Sequence, residues 1–372
     1  MDIHKLKIEE HHNTKKLWEL VFKEDTNSFL NYYYQEKANE NEIYIAGQGT
    51  VIQENTIQGM LHLNPYEIVM GRKQFIGHYI VAVATHPNFR KQGVMRSLLS
   101  RSIRDMYERG EAFTFLMPAK EAIYLPFDFR FVYTQRQGII QGRRDVAMNV
   151  SIREATNKDC QMLAEFANDS LQGKDIYVKR SDAYYQCLIQ EMKSENGGII
   201  IIEENNQTEN NQAENNLCIG FFLYAKMEEY LIREPLVRKG KEKYLEEAIY
   251  LLTNEQEQKV RCIGYEGEMF AVEEKPMIMF RILRPELVLE EMKAKKDMEL
   301  SIAIKDPMIE ENNKTWKICA KQGEYLSVSV CTGTADIHLS IADLTSILFG
   351  SATNEKLTAL CPLANIFFNE VV

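Results

Sequence analysis

The apolar and polar residues alternate in a way that divides the first third of the chain into short helices, several strands and one long amphipathic helix. Residues 14–38 carry aromatic side chains at helical spacing. Tyr79–Ala84 is a nearly continuous apolar run, which predicts a strand covered on both faces. From Val94 to Tyr107 apolar positions recur at helical spacing with charged residues between them, which predicts a helix. Further strands are predicted at Ile43–Ala46, Thr50–Gln53, Gly59–Leu63 and Phe113–Met117.

A short polar turn joins the apolar strand to the long helix, and it contains the sequence Arg-x-x-Gly from Arg90 to Gly93. Pro87 and Asn88 end the strand before it. A glycine at this point lets the backbone approach a ligand, and the first free N–H groups of the helix point at that ligand. Arg90 and Lys91 add positive charge there. The turn therefore predicts a pyrophosphate site, with an ordinary strand–turn–helix corner as the alternative.

A second unit repeats this order of elements after a boundary near residue 145. A helical segment at 157–193 precedes predicted strands at Gly198–Glu203, Leu217–Met227 and Tyr230–Val237. The sequence Arg238-Lys239-Gly240 then opens a helix that runs to Leu252, and a strand follows at Val260–Tyr265. No Arg-x-x-Gly is present, and the helix start is crowded with acidic residues: Glu242, Glu246 and Glu247. The second unit is therefore predicted to bind no cofactor.

A third unit is predicted from about residue 278. Alternating patterns predict half-buried strands at Leu300–Ile304, Trp316–Ala320, Tyr325–Val330 and Ile337–Ile341. A short helix at Ala342–Phe349 ends at Gly350, as is typical of a helix C-terminus. The apolar segment Cys361–Val372 is expected to dock into protein. Taken together, the patterns predict an α/β (α+β) layered protein.

The composition describes a globular protein of several domains. The 372 residues are 45% hydrophobic and 26% charged. A net charge of −10 disfavours nucleic acid as the main partner and weakly favours a cationic substrate. The seven cysteines include no Cys-x-x-Cys pair, no apolar run is long enough to span a bilayer, and the first residues lack a secretion signal. These features predict a cytoplasmic protein that contacts no membrane.

The turn also resembles motif A of the GNAT acetyltransferases, which holds the pyrophosphate of coenzyme A. The register Thr85-x-Pro87-x-x-Arg90-x-x-Gly93 matches that motif, although Met95 replaces the usual small residue. The three-part layout as a whole resembles the enhanced-intracellular-survival (Eis) acetyltransferases. Further matches are Met60–Tyr66, the segment Ile123-Tyr124-x-x-Phe127-x-Phe129, and Leu339–Gly350, which is similar to a sterol-carrier-protein-like domain.

This resemblance implies tandem GNAT-like domains followed by a small sterol-carrier-protein-like domain. Its implied bounds are 1–145 for the catalytic domain, 146–277 for a degenerate copy and 278–372 for the C-terminal domain. It implies acetyl-CoA as the cosubstrate, an amine acceptor of the aminoglycoside, polyamine or lysine type, and a homo-oligomer of hexameric type. The cofactor contacts that it implies are Val83, Ala84, Thr85, Lys91, Gln92, Gly93, Val94, Met95, Arg96, Ala119 and Lys120.

The resemblance also implies a general acid and a general base. The acid is Tyr124, which would protonate the departing thiolate. The base is the carboxylate of Val372, although many relatives end in phenylalanine and Val371-Val372 departs from that pattern. An amine must lose a proton before it attacks a thioester, so the chemistry needs such a base. An N–H of the cofactor strand, such as that of Val83, could stabilise the oxyanion.

Other candidate residues have plain alternatives. Carboxylates that could meet the acceptor amine are Glu24, Asp25 and Glu370, and for each a solvated surface role is equally compatible with the sequence. His86 is a possible base, but its place in the turn favours loop packing. The cluster Glu9-Glu10-His11-His12 could bind a metal, although such clusters are usually flexible surface, and no metal site is predicted.

The leading hypothesis is therefore an acetyl-CoA-dependent N-acetyltransferase that transfers the acetyl group directly, without an acyl-enzyme. The alternative is a non-catalytic protein that binds coenzyme A or an apolar ligand through its C-terminal domain. The intact segment Arg90–Gly93 and Tyr124 favour the enzyme. Turnover of acetyl-CoA with amines discriminates between the two.

Overall fold

The computed structural model describes residues 2–47, 57–144, 149–205, 217–226, 228–254 and 258–370. The predicted strand Thr50–Gln53 and the terminal residues Val371 and Val372 lie outside these ranges. None of the helices within them combines the length and the apolar character needed to cross a membrane.

The first unit is a sheet with helices packed on both of its faces. Its strands are β1 (Asp2–Lys5), β2 (Glu42–Gly47), β3 (Ile57–Met70), β4 (Lys73–Thr85), β5 (Phe113–Leu116) and β6 (Arg130–Gln141). Its helices are α1 (Lys15–Val21), α2 (Asn27–Gln35), α3 (Val94–Glu108) and α4 (Glu121–Tyr124). Helix α2 begins after Thr26, whose hydroxyl accepts a hydrogen bond from the Phe29 N–H at 3.1 Å.

The second unit repeats the strand–helix order of the first. Its strands are β7 (Val150–Glu154), β8 (Ile176–Val178), β9 (Gly197–Glu204), β10 (Leu217–Lys226), β11 (Tyr230–Val237) and β12 (Lys259–Ile263). Its helices are α5 (Cys160–Leu171), α6 (Asp182–Ser194) and α7 (Tyr244–Thr253). The Ser181 hydroxyl caps α6 by accepting from the Tyr184 N–H at 3.1 Å.

The third unit begins on a long strand and ends on the tail of the described chain. Its strands are β13 (Phe270–Ile282), β14 (Lys293–Ala294), β15 (Met298–Lys305), β16 (Thr315–Ala320), β17 (Ser327–Cys331), β18 (Ile337–Ser340), β19 (Leu360–Cys361) and β20 (Ile366–Phe367). Its helices are α8 (Pro285–Leu289) and α9 (Ile341–Leu348). Across the three units, 3₁₀ helices lie at Ile8–Thr14, Lys37–Asn39, Pro87–Phe89, Leu125–Phe127, Asn157–Asp159, Glu310–Asn312 and Glu355–Leu357.

One sheet joins the first two units. Over the described residues it has 14 strands, in the order β1-β2-β3-β4-β5-β13-β6-β12-β11-β10-β9-β7, with β8 and β20 attached beside β3. The four-stranded sheet β17-β16-β15-β18 belongs to the third unit. Most neighbours are antiparallel, but β4 runs parallel to β5 and β11 runs parallel to β12. The pairs β15–β18 and β8–β20 are also parallel. The pairs β4–β5 and β11–β12 matter for the site below.

The first and third units share one hydrophobic core. Phe113 stacks on Phe280 of β13 with ring centroids 4.4 Å apart, and Phe349 packs edge-on against both rings. The inward residues of the third sheet, such as Ile302 and Ile318, are completely buried in this core. The third unit is therefore a packed extension of the first and is tightly filled by its own side chains.

The α/β fold and the tandem layout predicted from sequence are confirmed. Most predicted elements are present, but the segment Ile123–Tyr133, which carries helix-like and turn-like residues, also contains the start of β6 at Arg130. The three-residue strand β8 lies inside the predicted helical segment 157–193. Strand β13 runs across the predicted boundary at 277/278, and the three domain ranges stay predictions.

Candidate active site

Strands β4 and β5 separate after a single pairing position and leave an open gap between them. They pair at Tyr79 and Phe115 only, within the described residues. Further along β4, Ala82 and Val83 stand opposite the one residue Leu61 of β3, and Ala82 has a φ of +52°. This bulge turns the strand away from its neighbour. A long narrow ligand could therefore hydrogen-bond to the free edge of β4.

The predicted strand contacts lie on the edge of this gap. Val83 and Thr85 are half-buried, and Ala84 packs beneath them against the core of helices α1 and α2. Val83 follows directly on the bulge residue Ala82, so its peptide group is outside the regular β3–β4 ladder. The N–H of Val83 is thus the candidate on β4 for contact with a ligand in the gap.

The turn before α3 forms an open helix N-terminus. Lys91 has a φ of +63° and Gly93 a φ of +82°, so two left-handed residues lead into the helix at Val94. A Cβ at Gly93 would meet no atom within 4 Å, so this position needs glycine for its backbone angle and not for space. The first helical hydrogen bond joins the Ser97 N–H to the Gly93 carbonyl at 3.0 Å.

This arrangement fits an anionic ligand. The N–H groups of Val94, Met95 and Arg96 precede the first helical hydrogen bond and have no partner within the helix. No acidic residue occupies the first turn, and the side chains of Lys91 and Arg96 are exposed. Free amides and the helix dipole both favour a phosphate at this point.

The remaining predicted contacts surround the same gap. Gln92 is tied back to the turn because its Nε2 donates to the Asn88 carbonyl at 3.1 Å. Ala119 and Lys120 are exposed between β5 and α4, at the far edge of the gap. Met95 is half-buried, so its larger side chain is accommodated in the core beside α3.

Tyr124 lies at the end of α4 in a nearly dry environment. Its ring packs edge-on against Phe129, with centroids 5.9 Å apart, and the residue is 8% exposed. Burial raises the pKa of Tyr124 to about 12, so the phenol carries its proton at neutral pH. The Arg96 guanidinium lies over the Phe127 ring at 5.1 Å, which connects the first turn of α3 to the Tyr124 segment.

Tyr79 connects the gap to the end of the chain. Burial raises the pKa of Tyr79 above its usual value, and the neighbouring Tyr66, Tyr124 and Glu370 raise it further. Its hydroxyl also interacts with the backbone of Met117, just after β5. Tyr124 and Glu370 therefore both lie near the point where β4 and β5 diverge.

A cavity of about 420 Å³ lies between the first unit, the second unit and the tail. Its walls come from the end of α2, strand β3, helix α6 and residues 369–370. The carboxylates among its described lining residues are Glu36, Glu40, Glu67, Glu191, Glu234 and Glu370, and the cations are Lys37, Lys179 and Arg233. Acids outnumber bases, so the cavity favours a cationic ligand.

Aromatic and acidic groups on the cavity wall suit an ammonium group. The Lys37 Nζ lies over the Tyr66 ring at 4.5 Å, which shows that this wall accepts a cation. Burial raises the pKa of Glu191, and the nearby Arg233 opposes that shift. A second cation in the cavity would favour the ionised form of Glu191.

Of the three candidate substrate carboxylates, only Glu370 lines this cavity. Its Oε1 is held by Arg180, while its buried Oε2 has no hydrogen-bond partner in the described chain. Asp25 instead accepts a hydrogen bond from the Trp18 indole N–H at 2.7 Å, and Glu24 is exposed between α1 and α2. Val372, the predicted base, lies outside the described residues.

The two histidines considered as a possible base or metal ligand, His86 and His11, make contacts that stabilise local structure. The His86 Nδ1 accepts from the Asn88 N–H at 3.3 Å and its ring packs against Phe89, so this histidine organises the turn. The His11 Nδ1 is 2.8 Å from the Ala38 carbonyl in a buried position. The described ranges bring together no three His, Cys, Asp or Glu side chains suited to a metal ion.

Sequence reasoning missed the residues that the second unit contributes to the cavity. Glu191, Arg233 and Glu234 come from α6 and β11, and Arg180 lies behind Glu370. Tyr66 belongs to the segment Met60–Tyr66, which was identified only through the resemblance to the Eis acetyltransferases. An arginine followed closely by a helix cap, as at Arg180-Ser181, offers no local signal of such a role.

Two parts of the chain match known families. Residues 2–132 match the family described as acetyltransferase (GNAT) domain, and residues 286–363 match the sterol carrier protein domain. No curated protein matches the sequence.

Solved structures share the fold over nearly the whole chain. A conserved protein of Enterococcus faecalis V583, described as a probable N-acyltransferase, is 16% identical over 97% of this chain and 93% of its own, with a TM-score of 0.76. A GCN5-related N-acetyltransferase of Anabaena variabilis is 15% identical over 99% and 97%, with a TM-score of 0.74. Eis1 of Mycobacterium abscessus is 13% identical over 97% and 94%, with a TM-score of 0.65.

Proposed function

We propose that this chain, an Eis-like GNAT N-acetyltransferase with a C-terminal sterol carrier protein domain, transfers the acetyl group of acetyl-CoA directly to an amine acceptor. The observation that carries the proposal is the open N-terminus of α3 beside the gap between β4 and β5. Free amides, exposed cations and an unpaired strand edge meet there. Tyr66, on the wall of an acidic cavity, packs against Tyr79 of β4, and this cavity would take the acceptor.

The cosubstrate would lie along the gap. Lys91, Gln92, Gly93, Val94, Met95 and Arg96 would hold its pyrophosphate, Val83, Ala84 and Thr85 its pantetheine arm, and Ala119 and Lys120 the opposite edge. The amides of the helix N-terminus supply the anion site, since backbone N–H groups need no side-chain rearrangement to bind phosphate. The thioester would then lie near Tyr124.

Acetyl transfer requires the protein to remove a proton from the amine, to stabilise an oxyanion and to protonate the leaving thiolate. The acceptor nitrogen loses a proton and attacks the thioester carbonyl, and the Val83 N–H would stabilise the oxyanion that forms. The carbon–sulfur bond then breaks, the amide forms, and Tyr124 would give its proton to the departing thiolate. The raised pKa of Tyr124 supports this role because it keeps the phenol protonated until charge builds up on sulfur.

The base assignment stays with the carboxylate of Val372 as a prediction. What supports it is the course of the last described residues: Phe368 is buried against Phe115, and Glu370 lines the acceptor cavity. The tail thus leads towards the reacting groups. Glu370 itself would bind the acceptor ammonium through its free carboxylate oxygen.

The acceptor is proposed to be a multiply charged amine, such as an aminoglycoside, a polyamine or a lysine side chain. The surplus of carboxylates in the cavity and the Tyr66 ring favour that class over neutral or anionic acceptors. The resemblance to Eis supports one further proposal, a homohexameric assembly. The seven scattered cysteines support another, a cytoplasmic location.

The release of free thiol from acetyl-CoA tests this function. The purified chain is mixed with acetyl-CoA and, in turn, a polyamine, an aminoglycoside and a lysyl peptide, and product mass confirms acetylation. Direct transfer predicts intersecting initial-rate lines when both substrates are varied, whereas an acyl-enzyme would give parallel lines. A neutral polyol of similar size serves as the control acceptor and is expected to give no turnover.

A particular result would contradict the proposal. If coenzyme A binds tightly but no amine is acetylated, the chain is a binding protein. The tight packing of the third sheet already disfavours the version of that alternative in which an apolar ligand enters the C-terminal domain, because Ile302, Ile318 and Leu348 are completely buried.

A further inference from the structure

The second unit keeps the strand gap that serves the cosubstrate in the first. Strand β11 has a residue of positive φ at Glu234, +47°, as β4 has at Ala82, +52°. Strands β11 and β12 run parallel through the pairs Leu231–Arg233 with Arg261–Ile263 and then separate. A residue with a Cβ is strained at positive φ. Because such a residue recurs at the matching place in β11, we infer that the second unit has kept the strand irregularity of the first.

The anion cradle next to this second gap is closed. Gly240 has a φ of +85°, close to that of Gly93, although α7 begins only at Tyr244. However, the Gly240 N–H donates to the Glu242 carboxylate at 2.9 Å. That N–H and the N–H of Glu242 itself hold the pKa of the Glu242 carboxylate below its usual value. A phosphate would meet a carboxylate here, so the gap is free for another occupant.

The segment Ile366–Glu370, called here the tail segment, lies at the mouth of this gap. Gly264 follows β12 directly, and a Cβ on it would stand 2.6 Å from the Asn369 Nδ2. The Asn369 Oδ1 accepts hydrogen bonds from the Gln135 Nε2 at 2.8 Å and the Tyr133 hydroxyl at 3.2 Å. A glycine at the end of β12 is therefore what lets the tail segment approach.

Successive side chains of the tail segment contact different units. Ile366 and Phe367 pair with β8 as a short parallel strand, and Phe367 is buried in the core of the second unit. Phe368 packs edge-on against Phe115 and Phe280 of the first core, at 4.8 and 5.3 Å. Glu370 then lines the acceptor cavity. The tail segment thus joins both units to the cavity.

Arg180 is the one side chain that ties Glu370 to the second gap in the described structure. It is fully buried, and it donates to Glu370 and, at 2.9 Å, to the Glu234 Oε1. Asn168 fixes its backbone, with the Arg180 N–H at 3.0 Å from the Asn168 Oδ1. The Tyr184 ring covers the guanidinium at 4.4 Å. One cation therefore bridges the strained residue of β11 and the tail segment.

We propose that the strand gap of the second unit is a receptor for the tail segment, and that Arg180 is the positioning residue that holds Glu370 at the acceptor cavity. The degenerate unit thereby contributes to acetyl transfer without binding a cosubstrate. A buried carboxylate needs a hydrogen-bonded cation, so loss of Arg180 would release Glu370 from its place. The kinetic consequence rests on the proposed amine acetylation, whereas the docking itself does not.

Hydrogen exchange read by mass spectrometry tests the docking in the absence of any substrate. Arg180→Met should accelerate exchange in a peptide covering 363–370 by at least about tenfold, because a released segment loses its protection. Glu370→Ala should do the same while leaving the Arg180–Glu234 pair in place, which guards against a folding defect. Arg153→Met is the control, since Arg153 also bridges two carboxylates, Asp159 and Glu203, but on the solvent side.

Steady-state kinetics test the positioning. Arg180→Met should lower kcat/KM for the amine by ~30-fold or more, the loss expected for a buried charge pair with one partner removed. The KM for acetyl-CoA should change less than about twofold, because the first gap is untouched. Arg180→Lys should recover part of the loss, and Arg153→Met should match the parent protein.

Each outcome decides the proposal. Unchanged exchange at 363–370 in Arg180→Met, or equal acceleration in helices α5 and α6, would overturn the docking. Faster exchange at 363–370 with unchanged amine kinetics would overturn the positioning role. If the parent protein acetylates no amine, the proposed function fails, while the exchange experiment still decides whether the second gap holds the tail segment.

Discussion

At the scale of single residues, burial decides the chemistry of Tyr124. The phenol lies against Phe129, and no described side chain hydrogen-bonds its hydroxyl. Burial disfavours the phenolate and raises the pKa to about 12. A group whose pKa is raised stays protonated until the pH rises through that value. Tyr124 therefore keeps its proton over the whole neutral range.

Replacing Tyr124 by phenylalanine should lower kcat about 100-fold, the usual contribution of a positioned general acid. The KM for acetyl-CoA should change less than about twofold, since the gap between β4 and β5 is unaltered. The pH profile of the parent enzyme should show no alkaline fall in kcat below about pH 10, because the pKa of Tyr124 is about 12. Initial rates from pH 6 to 10 measure both.

Tyr107→Phe is the matched control for this experiment. Tyr107 lies half-buried on the last turn of α3, against Arg284, away from the gap. Its variant should retain full activity. A Tyr124→Phe enzyme with parental kcat would remove Tyr124 from the mechanism.

At the scale of elements, a left-handed glycine precedes a helix in both of the first two units, but the charges beside it are opposite. Gly93 and Gly240 have φ values of +82° and +85°, and a Cβ on either would meet no atom within 4 Å. Both glycines are thus required for backbone angle alone. Only the first turn leaves its amides open, because Glu242 occupies the second. A comparison of Gly93 with Gly240 therefore distinguishes the effect of backbone strain from an effect on ligand binding.

Gly93→Ala and Gly240→Ala should each lower the free energy of unfolding by about 1–2 kcal/mol, the cost of a left-handed alanine. Gly93→Ala should also raise the KM for acetyl-CoA about tenfold, because strain displaces the amides of α3. Urea unfolding and initial rates measure the two effects. Similar KM changes in both variants would show that the α3 turn has no special part in cosubstrate binding.

At the scale of the whole molecule, a buried ion pair inside the third unit holds the arginine that reaches the first unit. Arg281 of β13 donates to the Asp306 Oδ1 at 2.7 Å and to the Phe127 carbonyl at 3.0 Å, and both charged side chains are fully buried. Asp306 also accepts from the Met308 and Ile309 N–H groups. Through Arg281, the third unit therefore holds the backbone at Phe127, three residues after Tyr124.

Asp306→Ala should lower the free energy of unfolding by about 3–5 kcal/mol, because it leaves the Arg281 guanidinium buried without its partner. Asp297→Ala is the control: Asp297 pairs with Lys321 on the surface, where both side chains are more than half exposed. Loss of such an exposed pair should change the free energy of unfolding very little. Urea midpoints compare the two, and equal shifts would contradict a structural role for the buried pair.

Local patterns predicted the elements well wherever neighbours in sequence decide the conformation. The helix from Val94, the strand through Ala84 and the helix stop at Gly350 follow from side-chain spacing and glycine angles. Strand β8 was missed because its three residues pair with Ile68–Met70 and with Ile366–Phe367, far away in the chain. Such pairing leaves no periodic signal.

Local sequence was enough to predict the open turn at Arg90–Gly93, the position of Tyr124 after its strand and the repeated order of elements, because each depends on residues close together in the chain. The residues that meet at the cavity could be found only from the fold. Arg180 and Glu370 are 190 positions apart, and their contact exists because β20 joins β8 and the second gap stands open. Side-chain spacing carries no information on contacts of that length, since folding topology creates them.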